Sequence, residues 1–132
     1  MLGCVLLDEL PHRQTRQDDG VVVVELDMRD DMRGPAGSLH GGIVAVLIDC
    51  AGASCVSVAG ARPVATLQTS IEYLAAARVG PIRAVGTLLR ASKAFGVAEV
   101  KVFDVGKDNR LVAAALLAAT YLEGKRYDRR VD

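Results

Sequence analysis

The sequence has no tryptophan, three tyrosines and two phenylalanines. With so few rings an aryl-lined pocket is not evident from composition. Charge of one sign is equally lacking: 16 Lys and Arg stand against 16 Asp and Glu, for a formal net charge of zero. No broad basic field for gripping a nucleic-acid backbone is implied, so no nucleic-acid partner is expected. The three cysteines, Cys4, Cys50 and Cys55, form no C-x-x-C pair and no Cys/His cluster. That argues against a disulfide framework or a metal site and fits a reducing, cytoplasmic setting. Met1-Leu2-Gly3-Cys4 has no charged or apolar segment before its cysteine, so a lipoprotein leader is not expected. Neither G-x-x-x-x-G-K-S/T nor G-x-G-x-x-G occurs, which speaks against a P-loop or dinucleotide site.

What is present is apolar. Hydrophobic residues make up 51% of the 132-residue chain and charged residues 24%, the profile of a folded chain rather than a disordered one. This length predicts one domain over residues 1–124, followed by a basic, solvated tail at 125–132. The apolar stretch at 43–59 is interrupted by Asp49 and small polar residues, so it does not read as a membrane span.

Two periods divide the chain. Residues 4–10 are expected to form a strand or short helix, with a turn region from Pro11 to Asp18-Asp19-Gly20. The β-branched run at 21–27 reads as a strand, and 28–39, with Gly34, Pro35 and Gly37, as a loop. Residues 41–59 are apolar on nearly every side, the pattern of a buried helix. Ser38 or His40 is placed to serve its N-terminus and Gly60 suits the position just past its end. Four further strands are predicted at 63–74, 82–91, 95–105 and 111–122, the last two joined by a hairpin turn at Gly106-Lys107-Asp108-Asn109. The last is alanine-rich, and its place opposite a hairpin, not its propensity, makes it a strand. Strands on either side of a single helix predict an α+β fold with a curved antiparallel sheet of about five to six strands.

Asp49 is the residue that most needs explaining, because a carboxylate among Ile43, Val44, Val46, Leu47, Ile48 and Ala51 is expensive unless it is partnered or used. Gly41 and Gly42 cost helix stability at a helix start, which suggests close approach to a bound group. A helix N-terminus offers unpaired N–H donors and a positive dipole end, able to bind a carbonyl oxygen gaining charge in a tetrahedral transition state. Eight residues separate Gly41 from Asp49, about 12 Å at about 1.5 Å rise per residue. Both cannot reach one carbonyl, so a site using both takes them from different subunits of a symmetric homodimer.

His40-Gly41-Gly42, then Leu47-Ile48-Asp49, then Thr66-Leu67-Gln68-Thr69-Ser70-Ile71-Glu72-Tyr73-Leu74 together resemble the phenylacetate-degradation-type (PaaI-like) hotdog acyl-CoA thioesterases, over about residues 34–122. The resemblance implies a long helix wrapped by a curved antiparallel sheet, assembled as dimers and as dimers of dimers. It implies that the Gly41 N–H polarises the thioester carbonyl, that Asp49 of the other subunit is nucleophile or general base, and that Thr66 positions the water or the acid. Gly42 and His40 fall among the substrate-positioning residues, His40 in a bracing role. Arg90 and Lys93 match positions that hold the phosphates of coenzyme A, which enters as part of the substrate, with no separate cofactor or metal. One departure is Gly34, which stands where many family members carry an Asn that orients the thioester or the water. The acyl group, aryl or short to medium chain, is left open. So are two other readings: a hotdog hydratase pairing His40 with Asp49, and an acyl-CoA-binding protein without turnover.

Overall fold

In the computed structural model, which describes residues 8–17 and 19–123, six strands make one antiparallel sheet around one long helix. The strands are β1 (His12–Gln17), β2 (Val21–Leu26), β3 (Val64–Tyr73), β4 (Ile82–Ala91), β5 (Phe95–Asp104) and β6 (Arg110–Tyr121), and the helix is α1 (Gly41–Gly60). They lie in the order β1-β2-β4-β5-β6-β3, every neighbouring pair antiparallel. Alternation of side chains decides which face receives the helix. Val22, Val24 and Leu26 of β2, Ile82 and Ala84 of β4, Val100 and Val102 of β5, and Ala113, Leu117 and Ala119 of β6 are all buried and point to α1. From the helix, Val44, Leu47, Ile48, Ala51, Gly52, Cys55 and Val56 meet them.

Small residues let the helix sit close. A Cβ at Gly86 would lie 2.8 Å from the Ala51 carbonyl oxygen, so β4 carries glycine where the helix backbone crosses it. Two tyrosines tie the helix ends. The Tyr121 hydroxyl donates to the Val56 carbonyl at 2.9 Å near the C-terminal end, and the Tyr73 hydroxyl donates to the Gly41 carbonyl at 2.9 Å at the N-terminal end. Cys55 is buried, and that burial pushes its thiol above the ordinary value; it packs as a small apolar side chain.

The structure differs from the sequence reading in four places. The expected turn region after Pro11 contains strand β1, whose HRQTRQ sequence has no apolar alternation because it is a polar edge. Arg13 on it pairs with Glu25 and Asp27 at 3.1 and 2.8 Å instead of packing on a core. The loop before the helix holds a short 3-10 turn, Asp30–Met32, whose buried Met32 anchors it. The left-handed residue closing α1 is Ala61 (φ 50°, ψ 38°), one position beyond the expected Gly60. Finally, α1 is not buried all round within one chain: Gly42 and Asp49 are exposed. By length and apolar character alone α1 could cross a membrane, yet its buried residues face the sheet. Residues 1–7 and the basic tail at 125–132 lie outside the described residues.

Candidate active site

The segment before the helix is held by its backbone. The N–H of His40 donates to Met32 O at 2.9 Å, Leu39 N–H to Ala77 O at 2.8 Å, and Gly34 N–H to Ser38 O at 2.8 Å. This seats His40 as the N-cap: its Nδ1 accepts from the Gly42 N–H at 3.0 Å, and its carbonyl accepts from Ile43 at 2.9 Å. With Nδ1 accepting, the neutral ring carries its proton on Nε2. Among the described residues, the N–H of Gly41 has no acceptor. It is a free donor at the positive end of a 20-residue helix.

Asp49 projects from the exposed side of the same helix, two turns further on. The Thr66 hydroxyl donates to its Oδ1 at 2.7 Å. Thr66 is placed there by a bulge in β3 at Thr66/Gln68, where the pairing with β6 slips by one residue. One carboxylate oxygen is thereby oriented, and Oδ2 has no partner among the described residues. Thr66 and Asp49 are therefore brought together within the chain. Gly41 and Asp49 are not: the helix between them is continuous, which keeps them about 12 Å apart at about 1.5 Å per residue.

Beside Gly41 is a cavity of about 210 Å³, lined by Ser38, Leu39, Gly41, Val44, Tyr73, the three alanines Ala75–Ala77 and Val112. A larger cleft of about 510 Å³ lies on the opposite face of the sheet, among Arg13, Thr15, Val23, Glu25, Arg83 and Val85. None of the residues expected to carry chemistry lines it. Its charges satisfy each other: Arg83 and then Arg13 hydrogen-bond Glu25 and hold that carboxyl below its ordinary value.

Gly34 sits against His40, and a Cβ there would be 3.8 Å from the imidazole Cδ2. A side chain at this position would lie on the His40 ring. Arg90 and Lys93 are elsewhere, at the end of β4 and in the turn to β5, beside the C-terminal end of α1. The Arg62 side chain, just past that end, donates to the Lys93 carbonyl at 3.4 Å. They are exposed and do not join Gly41 within one chain. Among the described residues no cluster of His, Cys, Asp or Glu is arranged to hold a metal ion.

Two residues that shape this region were not singled out from the sequence. Tyr73 reaches Gly41 across 32 residues, and no periodicity marks such a contact. Asp104 is fully buried and accepts the N–H groups of Arg78, Val79 and Gly80 at 2.7, 3.0 and 2.7 Å. Burial pushes its carboxyl up, but those three donors together, with a smaller contribution from Arg110, outweigh it and hold the group below the ordinary carboxylate value. Asp104 thus fixes the loop that carries Ala75–Ala77, a wall of the small cavity. Its signal was an acidic residue ending a strand in phase with the buried Val100 and Val102.

One long helix packed against a six-stranded antiparallel sheet is the architecture of hotdog proteins. A family profile described as the thioesterase superfamily matches residues 36–112, more than half of the chain and including His40, Gly41, Gly42, Asp49, Thr66 and Tyr73. The chain belongs to the thioesterase superfamily. It is 42% identical over 70 residues to a Halobacterium salinarum protein provisionally named an esterase, covering 50% of this chain and 46% of that one, so it spans about half the length of that relative. A conserved protein of Pseudomonas aeruginosa shares the fold at a TM-score of 0.81 and 27% identity, over 92% of this chain and 96% of that one. The PaaI protein of the E. coli phenylacetic acid degradation operon superposes at a TM-score of 0.83 and 20% identity, over 92% and 87%. The fold is accordingly the hotdog fold, with a PaaI-like architecture.

Proposed function

We propose that this chain hydrolyses acyl-CoA thioesters at two equivalent sites, each shared between the subunits of a homodimer. The observation that carries the reading is the pairing of an oriented carboxylate, Asp49 with Thr66 at 2.7 Å, with an unoccupied N–H at Gly41 on the same helix. The two are too far apart to serve one carbonyl from one chain. Support for the dimer comes from β3, an edge strand whose Leu67 and Tyr73, with the adjoining Leu74, are 63%, 56% and 55% exposed. An open edge strand carrying these exposed apolar side chains invites pairing with a second copy, and the exposed face of α1 lies beside it.

In this site the Gly41 N–H of one subunit binds the thioester oxygen as it gains charge. Asp49 of the other subunit, its Oδ1 held by Thr66, uses Oδ2 to attack the carbonyl carbon or to take a proton from the attacking water. If Asp49 attacks, the C–S bond breaks to leave an acyl–Asp49 anhydride that a water then hydrolyses; if it acts as base, the water oxygen bonds the carbonyl carbon directly as the C–S bond breaks. On either route coenzyme A leaves as a thiolate that takes up a proton, and the acyl group departs as the free acid. A thiolate is a good leaving group, so no strong general acid is required. Arg90 and Lys93 are assigned to the phosphates of coenzyme A.

The cavity beside Gly41 is assigned to the acyl group. It is a small opening of about 210 Å³. This fits a short acyl chain or one compact ring. Ala76→Leu fills part of it, and kcat/KM for hexanoyl-CoA relative to acetyl-CoA falls at least about tenfold. An unchanged ratio in steady-state assays removes the cavity from substrate selection.

The reading is tested by thiol release from a panel of acyl-CoAs, acetyl to decanoyl and phenylacetyl. Turnover of one or more is expected. Binding of acyl-CoA with no thiol release, or addition of water to an enoyl-CoA instead, contradicts it.

A further inference from the structure

We propose that Tyr73 is the positioning residue for the Gly41 N–H, an inference that rests on the thioesterase reading above. Three consecutive backbone positions at the start of α1 are treated differently. The Gly42 N–H is taken by His40 Nδ1 at 3.0 Å, and the His40 N–H is taken by Met32 O at 2.9 Å. Between them, the Gly41 N–H has no acceptor among the described residues, but its own carbonyl accepts the Tyr73 hydroxyl at 2.9 Å. The donors on either side are consumed, and the one left open belongs to a residue clamped through its other peptide group.

The Gly41 N–H lies in the peptide plane of the His40 carbonyl, which accepts from Ile43 and Val44 at 2.9 and 3.3 Å; on its other side glycine has no side chain to fix its torsions, so the join between that plane and the next depends on what touches it. Tyr73 supplies that restraint through its hydroxyl, which holds the carbonyl at 2.9 Å, and its ring flanks the residue, where a Cβ on Gly41 would lie 3.5 to 3.6 Å from it. Tyr73 is also a wall of the small cavity. β3 therefore serves both half-sites of its own chain: Thr66 near one end orients Asp49, and Tyr73 at the other orients Gly41. Misaiming a donor by a fraction of its hydrogen-bond length weakens it in the transition state more than in the ground state. Loss of the Tyr73 hydroxyl therefore falls on kcat.

The test uses the full chain and three variants: Tyr73→Phe, Gly41→Pro and the double variant. Proline at the first helical position replaces the N–H with a ring carbon and removes no intrahelical hydrogen bond. The His40 ψ of 131° already suits a residue that precedes proline. Tyr73→Phe lowers kcat for acyl-CoA hydrolysis about tenfold with KM within about twofold. On the Gly41→Pro background the same change costs nothing further, because the group it positions is gone. A purely structural hydroxyl would lower both backgrounds alike. Wild-type kcat in Tyr73→Phe, or a full tenfold further loss on Gly41→Pro, overturns the proposal while leaving the thioesterase reading intact. A wild-type chain that releases no thiol sinks that reading instead. In that event the proposal is read from NMR relaxation: the order parameter of the Gly41 amide falls in Tyr73→Phe while that of Ile43 does not, and an unchanged Gly41 value overturns it.

Discussion

Asp49→Asn lowers kcat/KM for acyl-CoA hydrolysis about a thousandfold, the range expected when a general base or nucleophile is removed and only donors and binding contacts survive. Converted at about 1.4 kcal/mol per factor of ten, that is about 4 kcal/mol of transition-state stabilisation. Stability is hardly affected. Asp49 is exposed in the chain, and an asparagine carbonyl in its place still accepts the Thr66 hydroxyl now bonded at 2.7 Å. Thr66→Val removes that donor and costs less, about tenfold, because the carboxylate remains and only its orientation is lost. Steady-state kinetics with urea titrations on the same preparations separate the two effects. A folded Asp49→Asn variant with parental turnover would take Asp49 out of the chemistry.

The second large effect is on stability. Asp104→Asn destabilises the fold by about 3 kcal/mol at neutral pH. Asp104 is fully buried and accepts three backbone N–H groups. An asparagine offers one oxygen and turns an NH2 toward a donor, leaving buried polar groups unpaired. The pH dependence has a definite sign. Folding lowers this pKa, so the stabilisation is fully present above the unfolded carboxylate value and is lost as pH falls through the folded one. Urea unfolding across the acid range should show the gap between parent and variant closing as pH falls. A gap that is constant with pH would mean that Asp104 does not fold as a carboxylate. Because Asp104 ties down residues 78–80, just beyond the Ala75–Ala77 wall of the cavity, the variant should also lose discrimination among acyl chains.

Most of the architecture was legible because its signals are local. The strand at Ile82–Ala91 was read with the bounds the structure shows, and α1 to within one residue, since β-branched alternation and an unbroken apolar run need no tertiary information. The β3, β5 and β6 ends shift by one residue, as strand termini do. Strand β1 was hidden because an edge strand that forms ion pairs on its outer face carries no hydrophobic period. Asp49 stands out in the sequence as a charge in an apolar helix, but the buried setting expected for it is not the one the structure shows. One side of α1 faces the sheet and the other is open in the single chain, and an all-apolar sequence cannot say which side is left open. Spacing was enough to separate Gly41 from Asp49, because a helix has a fixed rise. The bond from Thr66 to Asp49 and the clamp of Tyr73 on Gly41 depend on β3 lying beside α1, which only the folded chain displays.

Sharing of each site between subunits is tested most directly by complementation. Gly41→Pro lacks the donor and Asp49→Asn lacks the carboxylate, so each homodimer alone is expected to keep only a residual turnover, about a hundredth of the wild-type value or less. Mixed under conditions that exchange subunits, half of the dimers become hybrids, each with one intact site composed of Gly41 from one subunit and Asp49 from the other. Recovery of about a quarter of the wild-type turnover is the predicted result. No recovery above either homodimer, with hybrid dimers verified by native mass spectrometry, would contradict a site built from two chains.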